Sequence, residues 1–244
     1  MIKEILADGH FATKKELASI LNLSVTTIQR DLIELEKEGE VIRKHGGVTI
    51  SKDRKTTPLS NRVCINYIEK TKIGKKATTL IDEGDTLFVE TGTTCLSFFK
   101  NLSTNNVIVF TNSIAIASSD KIQDSNTNVF LLPGLIHKQN LAVYGNMTIE
   151  SMDNINVNKS VFSCVGVCID GRILCASEFD RGILNKISKN PKEKILLVDS
   201  SKFGADGAFT AASIDNIDIV ITDSKIPDKF KQMILSKNKK LIIV

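Results

Sequence analysis

Net charge is small in this sequence. Its 32 basic residues stand against 28 acidic ones, a formal +4 over 244 residues. A uniformly basic coat is therefore excluded, and affinity for a polyanion has to come from local patches. No apolar run approaches the ~18 residues a membrane span needs, and no basic-then-apolar leader opens the chain. The expectation is a cytoplasmic protein without a membrane partner. Five cysteines and three histidines form no pairs at metal-ligand spacing, so no metal is expected. Cys64, Cys95, Cys164, Cys168 and Cys175 are odd in number and sit mostly in apolar segments, and they read as reduced core thiols. Cys164 and Cys168, four apart, are placed on one face of a strand.

What the sequence does contain is ample core material. With 42% hydrophobic residues it suits one or two packed domains at about 150 residues each. The run SVTTIQRDLIELEKE, 24 to 38, reads as a helix with Ser24 as N-cap, Leu23 and Ile28 as a hydrophobic staple and Gly39 as the stop. Val25, Ile28, Leu32 and Leu35 share one stripe, while Thr26, Thr27, Arg30, Glu34 and Lys37 lie opposite. Only the first two turns of the outer face suit phosphates or base edges, since Glu34, Glu36 and Glu38 would be repelled. A recognition helix entering the major groove by its amino end fits that polarity.

Upstream, residues 1 to 8 read as a short helix closed by Gly9. Thr13 and Glu16 spell a capping box for a second helix with Leu17, Ile20 and Leu21 inward. Three helices with a tight turn at Asn22 and Leu23 make a helix-turn-helix unit. EVIRKHGGVTI then reads as a hairpin turning at Gly46 and Gly47. Arg43, Lys44 and His45 at its tip make it either a basic wing on DNA or an ordinary hairpin with a polar tip, and its place after the helix-turn-helix favours the wing. Between residues 52 and 76, Lys52, Arg54, Lys55, Arg62, Lys70, Lys72, Lys75 and Lys76 face only Asp53 and Glu69. That run is a solvated linker and helix face, or a DNA contact.

The segment 24 to 50 resembles the signature of the DeoR family of bacterial transcription regulators, a recognition helix with an Arg-Asp-Leu core followed by a wing carrying Arg-x-His-Gly-Gly. The resemblance implies contacts to double-stranded operator DNA from Ser24, Thr26, Thr27, Gln29, Arg30, Arg43, Lys44, His45, Gly46 and Gly47. Gln29 stands where family members usually carry a second arginine.

Residues 51 to 60 are polar and read as a linker. A helix is expected over 65 to 81, with Ile68, Ile73, Ala77 and Leu80 inward. Beyond it, apolar strands alternate with amphipathic helices, which implies a parallel sheet covered on both faces. The fold class is therefore α/β, a small N-terminal winged helix-turn-helix followed by a larger Rossmann-like domain with a mainly parallel sheet. The expected boundaries are 1–52 for the DNA-binding domain, 53–62 for the linker and 63–244 for the effector-sensing domain.

Ligands of open α/β sheets bind outside the carboxyl ends of the strands. Candidate groups there are Glu90, Thr91, Gly92, Thr93 and Thr94, then Thr111, Asn112 and Ser113, then Gly134, Asp170, Gly171, Glu178 and Lys202. Taken singly, Ser113 reads as a helix cap, and Lys202 either supplies a point charge to the same phosphate or a neighbouring oxygen or is a surface lysine. The Gly92 to Thr94 loop leads into a helix and suits a phosphate. It has neither the nucleoside-triphosphate loop pattern nor the dinucleotide fingerprint, so a monophosphate on a small molecule fits and no cofactor is expected. GDTLFVETGTT, FTNSIAIA, VGVCIDG and LVDSSKFG also resemble the DeoR family, whose effector domain is similar in fold to ribose-5-phosphate isomerase and senses phosphorylated sugars or sugar alcohols. Pro133 and Gly134 replace the usual Gly-Gly, and Glu178 is followed by Arg181 and Gly182 rather than by a lysine four residues on.

Two functions stay open: a repressor released by a phosphorylated sugar, and a sugar-phosphate isomerase with an accessory DNA-binding domain, for which Glu90, Asp170 or Glu178 could supply the base. A purely structural DNA-binding role leaves the α/β domain without a task. Because one recognition helix touches few base pairs, a homodimer or homotetramer is expected.

Overall fold

Capping decides where the first helices begin. The computed structural model describes residues 2–6, 12–37, 41–44, 47–50, 58–123, 126–189 and 192–244; Gly9 and Gly39, the expected helix stops, and His45 and Gly46, at the expected wing tip, lie outside them. The chain divides into two compact units, Met1–Ile65 and Asn66–Val244. In the first, α1 (Ile2–Leu6) precedes α2 (Lys14–Leu21), α3 (Val25–Lys37), β1 (Val41–Lys44), β2 (Gly47–Ile50) and α4 (Leu59–Cys64). The Thr13 hydroxyl accepts the Glu16 N–H at 3.2 Å while the Glu16 carboxylate accepts the Thr13 N–H at 2.7 Å, the reciprocal cap expected ahead of α2. Ser24 opens α3 by accepting the Thr27 N–H at 3.0 Å.

Leu6, Leu17, Ile28 and Leu32 are fully buried and share one core with Ala12, Val41 and Val48. Two positions expected inward are exposed instead: Ile20, in the last turn of α2, and Val25, in the first turn of α3. Helices this short cover one another only along their middles, so their end turns emerge from the core. Leu23 is exposed, and its N–H bonds the Ala18 carbonyl at 3.0 Å. β1 and β2 pair antiparallel from Val41↔Ile50 to Lys44↔Gly47, and Ala12 and Val48 exchange backbone hydrogen bonds of 3.0 and 2.9 Å. Behind Pro58, α4 starts at Leu59, inside the stretch expected as linker.

The second unit runs α5 (Tyr67–Thr78), β3 (Thr86–Val89), α6 (Thr93–Asn101), β4 (Ile108–Thr111), α7 (Ile114–Ala117), β5 (Asn128–Leu131), β6 (Leu135–His137), β7 (Ala142–Tyr144), α8 (Asn146–Ser151), β8 (Lys159–Phe162), β9 (Gly166–Val167), β10 (Arg172–Cys175), α9 (Glu178–Ser188), β11 (Glu193–Leu197), β12 (Phe209–Ser213), β13 (Ile219–Thr222), α10 (Asp228–Ser236) and β14 (Lys240–Ile243). Seven strands form one parallel sheet in the order β14-β13-β11-β8-β3-β4-β5. From β3 the chain steps outward through β4 to β5. It then returns to β8 and steps the other way, so the order reverses between β3 and β8 in a Rossmann-like arrangement. β13 is buried along its whole length, and Leu87 to Val89 and Ile195 to Val198 are likewise buried, as the continuous apolar runs require.

Three expectations are corrected in this unit. The strand expected over 160 to 167 is two, with β8 in the large sheet and β9 in a three-stranded antiparallel sheet with β10 and β12, so Cys164 and Cys168 do not share a strand face. The antiparallel pairs β6–β7 and β10–β12 were not foreseen. On α5, Ile73 and Ala77 are buried as expected, but Ile68 is exposed and Lys70 is buried, which removes Lys70 from any solvated basic face.

Candidate functional site

α3 presents a short polar face. Thr26, Gln29 and Arg30 are exposed beside buried Ile28. Ser24 and Thr27 are engaged with each other, their hydroxyl oxygens 2.8 Å apart, so their first task is to cap the helix. The Gln29 amide oxygen accepts from Lys14 Nζ at 3.4 Å. A cation from α2 thus stands where the family resemblance leads one to expect a second arginine on α3, and sequence reasoning confined to α3 missed it. Of the wing, Gly47 starts β2 opposite Lys44.

At the other end of the chain the β3/β8 switch point gathers the strand-end groups. Gly92 has φ +146, a conformation L side chains rarely adopt, although a Cβ there would meet only ordinary contacts, 3.8 Å from Glu90 Oε2 and 3.9 Å from Ser163 Cβ. Glycine is needed for the backbone turn, not for room. It leads straight into α6 with no side-chain cap, which leaves the first-turn amides and the positive helix end open to an acceptor. Glu90, Thr91 and Thr94 are buried around it. Thr91 Oγ1 is buried with no hydrogen-bond partner among the described residues, a rare and costly condition for a hydroxyl.

Thr111, Asn112 and Ser113, expected among the effector-binding groups, are engaged by neighbouring backbone groups. Asn112 is fully buried, accepts the Thr91 N–H at 3.0 Å and donates to the Val143 carbonyl at 3.4 Å. Thr111 Oγ1 donates to the Val89 carbonyl at 2.6 Å and accepts the Ser113 N–H at 3.0 Å. Ser113 Oγ accepts the Ile116 N–H at 3.3 Å and caps α7. Of the three side chains, Asn112 ties the Glu90 to Thr94 loop to β7, while Thr111 holds the end of β3 and Ser113 caps α7.

Cys164, one residue beyond Ser163, follows the carboxyl end of β8, the neighbour of β3. Burial pushes its thiol up to about 12; the Lys202 cation opposes that shift, and Asp199 and Glu90 add to it. Lys202, Asp199 and Glu90 are therefore all within electrostatic reach of one sulfur, which brings Lys202 into the constellation. Asp199 accepts from Asn66 Nδ2 at 2.9 Å and from Ser201.

Sequence reasoning also missed a network on β7 and α9. The Tyr144 hydroxyl donates to Asp180 at 2.7 Å and accepts from Asn140 at 3.3 Å, and Ser177 pairs with the same carboxylate at 2.6 Å. Burial raises the Tyr144 phenol far above its usual range, and the charges of Asp180 and Glu90 add to the shift, which sets this network beside the site. Glu178 opens α9 but is half-exposed and paired with Arg181 at 2.5 Å.

Asp170 and Gly171 do not join the site. They form the turn between β9 and β10. The Gly171 carbonyl accepts the Ile214 N–H at 2.8 Å, and a Cβ at Gly171 would lie 2.9 Å from Lys237. Ile214 and Lys237 immediately precede the β13 and β14 regions, so this turn sits at the amino edge of the sheet, with Asp170 paired to its neighbour Arg172 at 2.7 Å. Gly134 is accounted for by crowding, since a Cβ there would be 2.2 Å from Thr148 Oγ1. A cavity of about 300 Å³ bordered by Phe88, Asn156, Ser160, Lys186 and Lys189 lies at the amino ends of β8 and β11, away from these strand ends. No group of three or more His, Cys, Asp or Glu arranged for a metal occurs among the described residues, and no helix among them is long and apolar enough to cross a membrane.

A helix-turn-helix with a β-hairpin wing, carried by a chain whose larger part is a Rossmann-like domain, defines a DNA-binding transcription regulator. The DeoR-like helix-turn-helix domain model matches residues 1–54 and the DeoR C terminal sensor domain model matches residues 65–224. The chain belongs to the DeoR family. It is 31% identical over 240 residues to the HTH-type transcriptional repressor GlcR of Bacillus subtilis (strain 168), covering 97% of this chain and 91% of that one. It is 26% identical over 234 residues to the glycerol-3-phosphate regulon repressor of Escherichia coli (strain K12), covering 96% and 92%. Among solved structures, ribose 5-phosphate isomerase A of Methanocaldococcus jannaschii aligns with TM-score 0.39 and 17% identity over 57% of this chain and 55% of that one, a distance at which it says nothing about activity.

Proposed function

We propose that this regulator represses a carbohydrate-metabolism operon and releases its operator when a phosphorylated sugar or sugar alcohol occupies the carboxyl ends of β3 and β8. The observation that carries the reading is the uncapped amino end of α6 at the switch point, joined to a buried Thr91 hydroxyl with no partner among the described residues. Both ask for an anionic acceptor, and the loop suits a single phosphate. Lys202 supplies the cation, and Glu90 accepts from sugar hydroxyls. The repressor names carried by GlcR and the glycerol-3-phosphate relative support the direction of control.

The role of Glu90 is binding rather than turnover. Of the three carboxylates considered as a base, Asp170 lies at the other edge and Glu178 is paired with Arg181. A thermal-shift panel tests the reading. A phosphorylated sugar at 100 times its dissociation constant is expected to add about 2.7 kcal/mol of stability, its unphosphorylated parent is expected to add none, and the same compound releases operator DNA. No shift with any phosphorylated sugar overturns the sensor. Turnover at an enzyme-like rate, abolished by Glu90→Gln, makes the protein an isomerase.

On the DNA side, double-stranded operator is read by Thr26, Gln29 and Arg30 on α3, with the wing residues Arg43, Lys44, His45, Gly46 and Gly47 on the backbone or in the minor groove. Arg30→Ala is expected to weaken operator binding by about 1–3 kcal/mol and to relax preference at one base pair. Titration of a set of single-base operator variants checks this, and a uniform loss across all of them makes Arg30 a phosphate contact. One such helix reads a half-site, so the working species is a homodimer or homotetramer.

A further inference from the structure

Asn66 is engaged in an unexpected place. It opens the second unit and stands just ahead of α5, where an asparagine ordinarily keeps extended backbone and caps the helix with its side chain. Here φ is 51 and ψ is 37, the left-handed conformation, and no side-chain cap is made. The amide reaches across 133 residues instead, donating from Nδ2 to Asp199 Oδ1 at 2.9 Å; a second contact runs to Ser201 Oγ at 3.2 Å. L residues are disfavoured in that conformation, and asparagine is among the few that tolerate it.

What holds the amide is the turn that carries Lys202. Asp199 is buried, and besides Asn66 it accepts the Ser201 N–H at 3.2 Å and the Ser201 hydroxyl. Asp223, equally buried, accepts the Ser200 N–H at 2.6 Å and the Lys225 N–H at 3.0 Å, while Lys225 Nζ donates to Glu69 in the first turn of α5 at 2.7 Å. The start of α5 is therefore tied to the Ser200–Lys202 turn by two routes. The one through Lys225 is an ion pair with a largely exposed lysine, the weaker kind. The one through Asn66 ends on a buried carboxylate.

Two arrangements lie within reach of this residue. One is the latched form just described. In the other the backbone at Asn66 is extended and the side chain caps α5. A phosphate at Lys202 selects between them, because it adds negative charge beside Asp199 and competes with that carboxylate for the Ser201 hydroxyl and the Asn66 amide. Turning the backbone at Asn66 changes the direction in which the chain leaves the second unit, as at the element-terminal residues that serve as hinges.

We infer that Asn66 is a coupling residue: its amide, held by Asp199, carries the effect of a ligand from the Lys202 turn to the connection with the DNA-binding unit. The inference rests on the sensor reading given above, and the two fail separately. It supplies what a coupling route requires, an element with two states that both sites bias.

The test measures operator affinity of the full chain with and without ligand, using inorganic phosphate and the phosphorylated sugars of the thermal-shift panel. Asn66→Gly keeps the left-handed backbone accessible and removes the amide. Asn66→Asp keeps the size of the side chain and sets a carboxylate against Asp199. Tyr67→Ala, at the next position and exposed, is the control. Wild type and Tyr67→Ala are expected to lose about 5- to 150-fold in operator affinity when ligand binds, and both Asn66 variants less than about 3-fold. Ligand is still expected to raise the melting temperature of Asn66→Gly, and binding kept while release is lost is a result that a merely structural role would not give. A full wild-type response in either Asn66 variant, an equal loss of response in Tyr67→Ala, or an Asn66→Gly protein that no longer binds ligand keeps the sensor and overturns the latch. A wild type whose operator complex responds to none of these ligands overturns sensor and latch together.

Discussion

Leu32→Ala is expected to weaken operator binding severely without altering an atom that faces DNA. Leu32 is fully buried among Leu6, Leu17, Ile28, Val41 and Val48. Truncating a leucine in such a place costs about 2–5 kcal/mol. The amino-terminal unit spans Met1–Ile65, and a unit of that size has only about 3–10 kcal/mol in hand. At the middle of both ranges the substitution removes about half of that stability, and at their unfavourable ends all of it, while the core around Val198, Val220 and Phe230 is untouched. Calorimetry is expected to show the transition of the smaller unit markedly lowered or lost, and gel shifts a weakened or absent operator complex. A variant that keeps both would mean that α3 is held by something other than this core.

Gly134→Ala is expected to produce a large loss in the second unit. Its φ is +151, and a Cβ would fall 2.2 Å from Thr148 Oγ1 and 2.6 Å from the Tyr144 carbonyl oxygen. Thr148 cannot swing aside freely because its hydroxyl donates to the Pro133 carbonyl at 2.7 Å. Backbone strain of about 1–3 kcal/mol and overpacking of about 1–3 kcal/mol combine to a few kcal/mol. At roughly 2–4 °C per kcal/mol for a unit of this size, melting should fall by about 10 °C. A shift under about 2 °C would mean that the β5–β6 connection is loose enough to rebuild around a methyl group.

Elements whose boundaries are set by local chemistry were legible in the sequence. The Thr13 and Glu16 cap, α9 over Glu178–Ser188 and α10 over Asp228–Ser236 fall where capping and periodicity place them. The continuous apolar strands of the parallel sheet were legible for the same reason, since burial on both faces leaves a run with no polar interruptions. The β6–β7 hairpin was not, because Leu135 and Ile136 are consecutive and both exposed, so no alternation marks a buried face. At the strand ends the sequence showed which residues lie there but not which way they work. Asn112 reads as a ligand group until its amide is seen clamping Thr91 to Val143. Asp170 followed by glycine imitates the end of a parallel strand, yet the strand it introduces is antiparallel and its turn belongs to the opposite edge. The Tyr144 and Asp180 pair is 36 residues apart, a separation that only the fold closes.

The paired hydrogen bonds between Ala12 and Val48 bear on how a signal reaches DNA. They fasten the approach to α2 onto the second strand of the hairpin, so the hairpin and the helices behave as one solid tooth whose internal spacing is fixed. Such a tooth either fits a half-site or does not; it has no intermediate bite to adjust. In the homodimer proposed above, control then acts as in a two-pronged gauge, on the separation of two intact teeth rather than on the shape of either. Lengthening the gap between operator half-sites by one or two base pairs should accordingly mimic the released state, while the contacts inside each half-site stay as they were.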